Sequence, residues 1–246
     1  MDPAEFEQMF QVEETNWWYR SRRFLVRRQV RAEAKRLNRR LKILDVACAT
    51  GMSFRFLSDL GDIIGIDISE ETIRLCHRRG ITDIVRCDAM ELPFTDGSFD
   101  LVLALDAFEH FEDDRKAMAE MHRVLKDDGA AIVTVPAFMF LWSPHDDSFH
   151  HIRRYTRPEL GEKLERAGLR PLRISYYSFF LMPPVYVFRK IRSVLGRGAD
   201  KKSDFFVSIP AWAEYVLKGI MAVERFILRF VNLPFGVSLF SVIRKR

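Results

Sequence analysis

The residues best placed to do chemistry are three carboxylates that each end a short apolar run: Asp45, Asp67 and Asp88. Asp45 precedes a tight turn, 47–51, that holds one glycine where a dinucleotide-binding loop has three. A carboxylate there repels a pyrophosphate and attracts a ligand carrying ammonium or sulfonium charge. Asp67 lies where a carboxylate accepts both hydroxyls of a ribose, and Asp88 is suited to an adenine amine. The acids therefore predict a cationic nucleoside cofactor.

Two further polar clusters follow later apolar runs. "LDAFEHFED" places Asp106, Glu109 and His110 after one run, and "LWSPHDDSFHHIRRYT" follows the next. Histidines serve as general bases or orient a substrate, and arginine binds carboxylate or phosphate in a bidentate manner. The predicted catalytic or orienting residues are His145, His150, His110 and Tyr155, and the predicted substrate-binding residues are Trp142, Asp146, Arg154, Trp17 and Trp18.

A metal site is an alternative reading of the same clusters. Asp106, Glu109, His110 and a later histidine would form a mixed oxygen and nitrogen ligand set. Sequence spacing does not test that geometry. The favoured interpretation is that Glu109 and His110 begin a helix beneath the cofactor, and no metal is predicted.

The elements that position these residues follow an α/β pattern. From Leu41 to Val135, short β-rich runs alternate with amphipathic helical stretches, which is typical of a parallel sheet covered by helices. This predicts a Rossmann-like, doubly wound, mostly parallel sheet, with the ligand at the carboxyl ends of its strands. The predicted strands are "LKILDVA", "DIIGID", "DIVRCD", "FDLVLAL", "AAIVTV", "RPLRISYY" and "VSLFSVIRKR"; the predicted helices include "MSFRFLSDL", "SEETIRLCHRRG" capped by Ser69, "DDRKAMAEMHRVLKDDG" and "PELGEKLERAGL".

Three segments are expected in the chain's organisation: a helical extension or lid at 1–40, a core at 41–177 plus 237–246, and an aromatic-rich helical insertion at 178–236. The basic N-terminal helix either packs on its own domain or meets a partner. The insertion, with linker "GRGADKKSD", either packs on its own domain, caps the site, forms a dimer contact or lies on a membrane. Pro183, Pro184 and interspersed charges argue against a membrane-spanning helix.

Composition sets broad bounds. Hydrophobic residues make up 48% and charged residues 30% of the 246, with a formal net charge of +5, which is an ordinary globular balance. The acidic N-terminus does not resemble a secretory signal. The three cysteines, Cys48, Cys76 and Cys87, form no CxxC pair, so neither a disulfide framework nor a zinc site is expected. We expect a cytoplasmic protein, peripheral on the membrane if the insertion contacts lipid.

The segments "ILDVACATGMSFRFL", "GIDIS", "RCDAMELPF", "FDLVLALDAFEHF" and "RVLKDDGAAIVTVP" together resemble class I S-adenosylmethionine-dependent methyltransferases, and most resemble the small-molecule branch with ubiquinone-biosynthesis-like enzymes. The resemblance covers about Leu41 to Pro136. It differs from the usual D-x-G-x-G-x-G loop at two alanines. It implies S-adenosylmethionine as cofactor and S-adenosylhomocysteine as product. The implied cofactor-binding residues are Asp45, Ala47, Cys48, Ala49 and Gly51 at the methionine end, Asp67 and Ile68 at the ribose, Asp88 and Ala89 at the adenine, and Leu105 and Asp106 near the sulfonium.

The leading hypothesis is methyl transfer to an apolar or lipid-linked small molecule by a monomer or homodimer. A nucleic-acid methyltransferase is the second hypothesis, suggested by the basic N-terminal helix, but "LDAF" stands where base-modifying members carry an N/D-P-P-Y/F motif. A third is a non-catalytic binding or scaffold protein, suggested by the alanines in the loop. Fold alone does not choose among oxygen, nitrogen and carbon acceptors.

Overall fold

The computed structural model describes residues 3–194 and 210–246, and a seven-stranded sheet forms its centre. The strand order is 3-2-1-4-5-7-6, and the last strand in sequence runs antiparallel to both of its neighbours. The predicted α/β fold is confirmed. The strands are β1 (Leu41–Val46), β2 (Gly61–Asp67), β3 (Ile84–Arg86), β4 (Phe99–Leu105), β5 (Leu125–Pro136), β6 (Leu169–Tyr177) and β7 (Ser238–Lys245).

The strand order reverses between the parallel strands β1 and β4. β2 and β3 lie on the β1 side of this point, and β5, β7 and β6 lie on the β4 side. Ligands of doubly wound folds bind outside the carboxyl ends of the strands at such a switch point. Both strands are buried along most of their length, which explains their nearly continuous apolar runs. The polar residues that end them are therefore brought together at one edge of the sheet.

Helices cover the sheet, and most begin close to where the sequence predicts. One prediction was wrong: "LKDDG" (125–129) continues no helix but opens β5, where Leu125 pairs with Phe99. Ser69 does precede a helix, but its side chain makes no capping hydrogen bond. The helices are α1 (Pro3–Val12), α2 (Trp17–Leu37), α3 (Met52–Leu57), α4 (Glu70–Arg78), α5 (Asp114–Val124), α6 (Pro144–Ser148), α7 (Arg157–Arg166), α8 (Met182–Val194) and α9 (Ala211–Ile227).

The basic helix α2 packs on its own domain. Its apolar face buries Val26 and Val30 in the main core. Arg27 forms a bidentate pair with Asp59, with N–O distances of 2.7 and 2.6 Å, and Arg23 donates to the Glu13 carbonyl oxygen. Much of the helix's positive charge is thus engaged within the chain, as the packed-helix interpretation predicted.

The insertion contributes two helices, α8 and α9, and its predicted linker at 196–204 lies outside the described residues. One face of α9 is docked: Met221 and Leu228 are buried, and buried Glu224 accepts hydrogen bonds from the backbone N–H groups of Ser178 and Phe180. Among the described residues, no helix is both long and apolar enough to cross a bilayer. The three-segment division of the chain remains a prediction.

Candidate active site

A cavity of about 660 Å³ opens at the carboxyl ends of β1, β2 and β4, a size typical of small-ligand sites. Most of the predicted site residues line it. These are Asp45, Ala47, Cys48, Ala49, Asp67, Ile68, Asp88, Ala89, Leu105, Asp106, His110, His145, His150, Arg154, Trp17 and Trp18. Its wall also includes residues of α1, α2 and α8, so elements distant in sequence close over the strand ends.

Asp45 lies near the end of β1 with only 4% of its surface exposed. Its side chain accepts a hydrogen bond from the Ser53 hydroxyl. Burial raises the pKa of Asp45 to about 7, although the Ser53 hydrogen bond and the charge of Arg22 both lower it. A cation bound beside this carboxyl would favour its ionised form.

Asp67 ends β2 and ties together the two turns that border the cavity. One carboxylate oxygen accepts from Ala49 N–H at 3.0 Å and the other from Ser69 N–H at 2.9 Å. Burial raises its pKa, partly offset by these hydrogen bonds. Asp88, after β3, accepts from Met90 N–H at 2.8 Å.

The turn after Asp45 adopts a backbone that normally calls for glycine. Ala47 and Ala49 have φ angles of 53° and 49°, in the left-handed region, and Gly51 has a φ of 72°. An L-residue there costs roughly 1–2 kcal/mol because Cβ approaches the carbonyl oxygen. The chain thus keeps the path of a glycine-rich loop without two of its glycines.

An arginine from α2 crosses the cavity to the acid after β4. Arg22 donates to one carboxylate oxygen of Asp106, and the Thr134 hydroxyl donates to the other at 2.8 Å. Burial lowers the pKa of Arg22, but the charges of Asp106, Tyr177, Tyr19 and Glu13 together more than offset that effect and raise it overall. Sequence analysis missed Arg22, because nothing local in α2 singles out one arginine among many.

A second link joins the N-terminal extension to the turn. Glu13, between α1 and α2, accepts from the Thr50 hydroxyl and forms a buried ion pair with Arg79 at 2.7 Å. Burial raises the pKa of Glu13, while Thr50 and Arg79 lower it. The extension therefore holds the turn from outside the sheet, a role that no sequence motif indicated.

The segment after β5 is organised around one buried acid, Asp146. It accepts from the Nε and Nη2 atoms of Arg154, both at 2.8 Å, and is 2.8 Å from His151 Nδ1. Burial alone raises its pKa, but His151 and Arg154 hold the pKa of Asp146 well below its usual range. Asp146 was predicted to bind substrate; instead it lies fully buried and fixes the residues that line the cavity.

The histidines facing the cavity differ from the expected bases. Burial lowers the pKa of His110 and of His145 to about 3, with further repulsion from His151. Both imidazoles are thus neutral near pH 7 and weak proton acceptors. His151, not among the predicted site residues, lines the cavity with its ring held by Asp146. Its neighbour His150 has a φ of 54° and also lines the cavity.

Glu109 lies at the same wall, in a short 3₁₀ turn, Phe108–His110, that follows β4. Its side chain has no exposed surface. Burial raises the pKa of Glu109 well above its ordinary value, and the neighbouring charge of Asp106 adds to the effect. The sequence predicts a helix that begins at Glu109 and His110. In the structure these two residues lie in this 3₁₀ turn and line the cavity.

Besides Asp146, three predicted residues do not line the cavity. Tyr155 is fully buried, and its one hydroxyl proton is shared between Asp114 at 2.7 Å and the Phe108 carbonyl oxygen at 3.1 Å. Trp142 donates through Nε1 to Asp147 at 2.9 Å. Gly51 lies against Ile81, which leaves no space for a Cβ. Tyr155 and Gly51 thus support the architecture behind the site, contrary to their expected roles at the ligand.

Comparison with known proteins agrees with this geometry. Residues 44–133 match a family model described as a methyltransferase domain. A probable S-adenosylmethionine-dependent methyltransferase of Mycolicibacterium smegmatis is 29% identical over 159 residues, 63% of this chain and 60% of that protein. These matches support a class I S-adenosylmethionine-dependent methyltransferase domain in this chain. The family's cofactor is S-adenosylmethionine.

Other relatives of this chain carry quinone-biosynthesis names. A ubiquinone/menaquinone biosynthesis C-methyltransferase of Paraburkholderia phytofirmans is 32% identical over 134 residues, 51% of this chain and 54% of that protein. A demethylmenaquinone methyltransferase of Renibacterium salmoninarum is 37% identical over 94 residues, 37% of this chain and 40% of that protein. The chain thus spans 40 to 60% of the length of these curated relatives.

Solved structures share the fold of this chain. One from Thermotoga maritima, described as an S-adenosylmethionine-dependent methyltransferase and possible histamine N-methyltransferase, has a TM-score of 0.60 at 19% identity, covering 99% of this chain and 96% of that one. A [4+2]-cyclase has a TM-score of 0.57 at 22% identity, covering 89% and 80%. These likenesses concern the fold alone.

The cavity fits the family's cofactor on its own chemistry. A cationic methionine end suits the buried carboxyl of Asp45, whose pKa near 7 places it ready to ionise beside a positive charge. Asp67 and Asp88 offer carboxylate acceptors at the next two strand ends, on the same wall. The backbone of the turn, left-handed at Ala47 and Ala49, follows the course that glycines would permit.

Proposed function

We propose that this chain transfers the methyl group of S-adenosylmethionine to an apolar or lipid-linked small molecule. One observation carries the proposal: the cavity that holds the three acids continues to an apolar wall formed by Trp17, Leu181, Val185 and Phe188. An apolar acceptor would bind there by burial of its surface, with a few polar groups fixing its orientation. The quinone-biosynthesis names among the relatives are consistent with such an acceptor.

The division of roles within the cavity follows from charge and burial. Asp45 would hold the cationic methionine end, Asp67 the ribose and Asp88 the adenine. When bound, S-adenosylmethionine supplies a methyl carbon already activated by its sulfonium, so the chain's main task is to align the acceptor. The neutral rings of His145 and His110 are suited to hydrogen bonds that orient the acceptor rather than to removal of its proton.

The test is transfer of methyl-labelled S-adenosylmethionine into products that partition into organic solvent, with extracted membrane lipids as acceptors. Val185→Asp places a charge on the apolar wall, so we expect at least about tenfold less transfer with unchanged cofactor affinity. Val187→Asp is the matched control, since Val187 lies on the same helix, is exposed and does not line the cavity. Equal transfer by both variants would contradict an apolar acceptor site at this wall.

We further propose that the exposed face of α9 lies on an anionic membrane surface and gives the cavity access to lipid-soluble acceptors. We call this face, together with Phe230 just after the helix, the α9 stripe. It comprises Trp212, Tyr215, Val216, Val223, Phe226 and Phe230, each at least half exposed. Three arginines lie close to one another beside this stripe. Burial lowers the pKa of Arg28, and the charge of Arg229 lowers it further. Burial likewise lowers the pKa of Arg173, and the charge of Arg28 adds to the effect. Apolar side chains beside concentrated positive charge suit an anionic interface.

Sedimentation with phosphatidylglycerol vesicles, compared with phosphatidylcholine vesicles, tests this contact. We expect binding to the anionic vesicles that the double variant Trp212→Ala, Phe226→Ala loses. Leu172→Ala, which removes an exposed side chain from β6, is expected to leave binding intact. No binding by the wild type would refute the contact. A dimer in light scattering that the double variant dissociates would assign the α9 stripe to a second copy of the chain.

A further inference from the structure

Beyond the acids that suit the cofactor, the cavity wall brings together three potential metal ligands. One carboxylate oxygen of Glu109 and one ring nitrogen each of His110 and His151 all lie within 4.8 Å of one another. Glu109 and His110 belong to the 3₁₀ turn after β4, and His151 to the segment after β5. A hydrogen bond of 2.9 Å from Ile152 N–H to the Glu109 carbonyl oxygen joins the two segments. The backbone therefore fixes the three side chains beside one another.

The Glu109 side chain supplies an independent observation. It is fully buried, and within the described part of the chain no other residue donates a hydrogen bond to either carboxylate oxygen. Such a group is costly unless it meets a partner, and each unsatisfied buried polar atom calls for an explanation. Because Glu109 lines the cavity, the missing partner would enter from the cavity. A cation satisfies both oxygens at once.

Both histidines are held as metal-binding histidines usually are, with one ring nitrogen engaged by the protein. Nδ1 of His151 lies 2.8 Å from a carboxylate oxygen of Asp146, which leaves Nε2 for a ligand. The His110 ring makes a hydrogen bond to the backbone of His150. Asp146 is itself fixed by its bidentate pair with Arg154. This second layer orients the rings before any ion binds.

We propose that Glu109, His110 and His151 bind one divalent transition-metal ion at the wall of the cavity. Ligands sharing an ion at about 2.1 Å lie up to about 4 Å apart, so a small side-chain adjustment closes the site. Two imidazoles and a carboxylate select Zn²⁺, Co²⁺ or Fe²⁺ over Mg²⁺ and Ca²⁺, which prefer all-oxygen sites. Three protein ligands leave positions open toward the cavity, where an oxygen of the acceptor would bind. That last role, unlike the ion binding, rests on the proposed methyl transfer.

The test uses untagged, chelator-treated protein titrated with Co²⁺ and followed by its visible absorption. We expect one ion per chain in the wild type. Glu109→Gln and His151→Gln each remove a ligand with little change in volume, so we expect Co²⁺ binding to weaken at least about tenfold. His77→Gln is the control, since His77 is exposed on α4 and outside the cluster. Thermal melts establish that the variants fold.

Two outcomes overturn the metal site: no stoichiometric Co²⁺ binding by the folded wild type, or binding that Glu109→Gln and His151→Gln leave unchanged. Because either ligand variant alone supports the test, failure of one to fold does not end it. S-adenosylmethionine titrated into the same samples separates the two proposals. Cofactor binding without Co²⁺ binding removes the metal site and leaves methyl transfer standing; Co²⁺ binding without cofactor binding does the reverse.

Discussion

The buried carboxyl of Asp45 should make cofactor affinity depend on pH. Asp45 is 4% exposed, and burial raises its pKa to about 7. If the cationic cofactor binds the ionised form, affinity follows the ionised fraction of Asp45. With a pKa of about 7, that fraction and the affinity rise roughly 25-fold from about pH 5.5 to about pH 7.5 and level off above.

The assay is calorimetric titration with S-adenosylmethionine across that range, in two buffers of different ionisation enthalpy. Near about pH 6 we expect close to one proton released per cofactor bound, because binding ionises Asp45. Asp45→Asn should bind weakly at all pH values and lose most of the pH dependence. Asp62→Asn is the matched control, since Asp62 is exposed at the start of β2 and pairs with Arg40.

The sign of the effect is fixed by the direction of the shift. In the cofactor-free chain, the pKa of Asp45 is about 7 in the folded state and about 4 in the unfolded state. The protonated carboxyl therefore contributes most to stability below about pH 4, and that contribution is lost as the pH rises through about 7. Arg22 and Asp67 face the same carboxyl, and Asp67 also has a raised pKa. A pH-independent affinity, or an Asp45→Asn variant that keeps the wild-type slope, would refute the assignment of Asp45 to the cationic end of the cofactor.

Three further variants probe the architecture behind the site. Ala49→Gly relieves a left-handed alanine and should raise the free energy of unfolding by about 0.5 kcal/mol. The control is Ala32→Gly, at an exposed position in the middle of α2, which should lower the free energy of unfolding by about 1 kcal/mol. Urea denaturation measures both changes. Tyr155→Phe removes the buried hydroxyl that donates to Asp114 and should cost about 1–2 kcal/mol of stability while leaving cofactor affinity unchanged; a changed affinity would show that Tyr155 acts at the ligand site. Arg22→Met leaves Asp106 without its ion pair across the cavity, so calorimetric titration should show weaker cofactor binding. Unchanged affinity would contradict a role for that ion pair at the site.

The strands and the acids that end them could be predicted because both depend on local pattern. Continuous apolar runs mark strands buried on both faces, and in a parallel sheet their carboxyl ends meet at one edge. Asp45, Asp67 and Asp88 accordingly lie on one cavity wall. The boundary between α5 and β5 was misplaced because "LKDDG" is polar, like a helix end, and only pairing of Leu125 with Phe99 makes it strand.

Long-range partners could not be predicted in the same way. Arg22 and Asp106 are separated by 84 positions, and Glu13 and Thr50 by 37, with no pattern relating them. In the segment after β5, composition indicated a functional cluster but not which side chains face inward. An isolated β-bridge pairs Ala137 with Tyr155, so the Tyr155 side chain lies in the core and His151 lines the cavity. This pairing is a tertiary contact that the local sequence does not specify.

The most direct test of the account is calorimetric titration of wild type, Asp67→Asn and Asp62→Asn with S-adenosylmethionine near pH 7.5. Asp67 joins the turns at Ala49 and Ser69 and is assigned the ribose, so replacing its charge-assisted acceptors should weaken binding by about 100-fold or more. The account predicts tight binding by the wild type and Asp62→Asn, and loss in a folded Asp67→Asn. No binding by the wild type, or undiminished binding by Asp67→Asn, would contradict it.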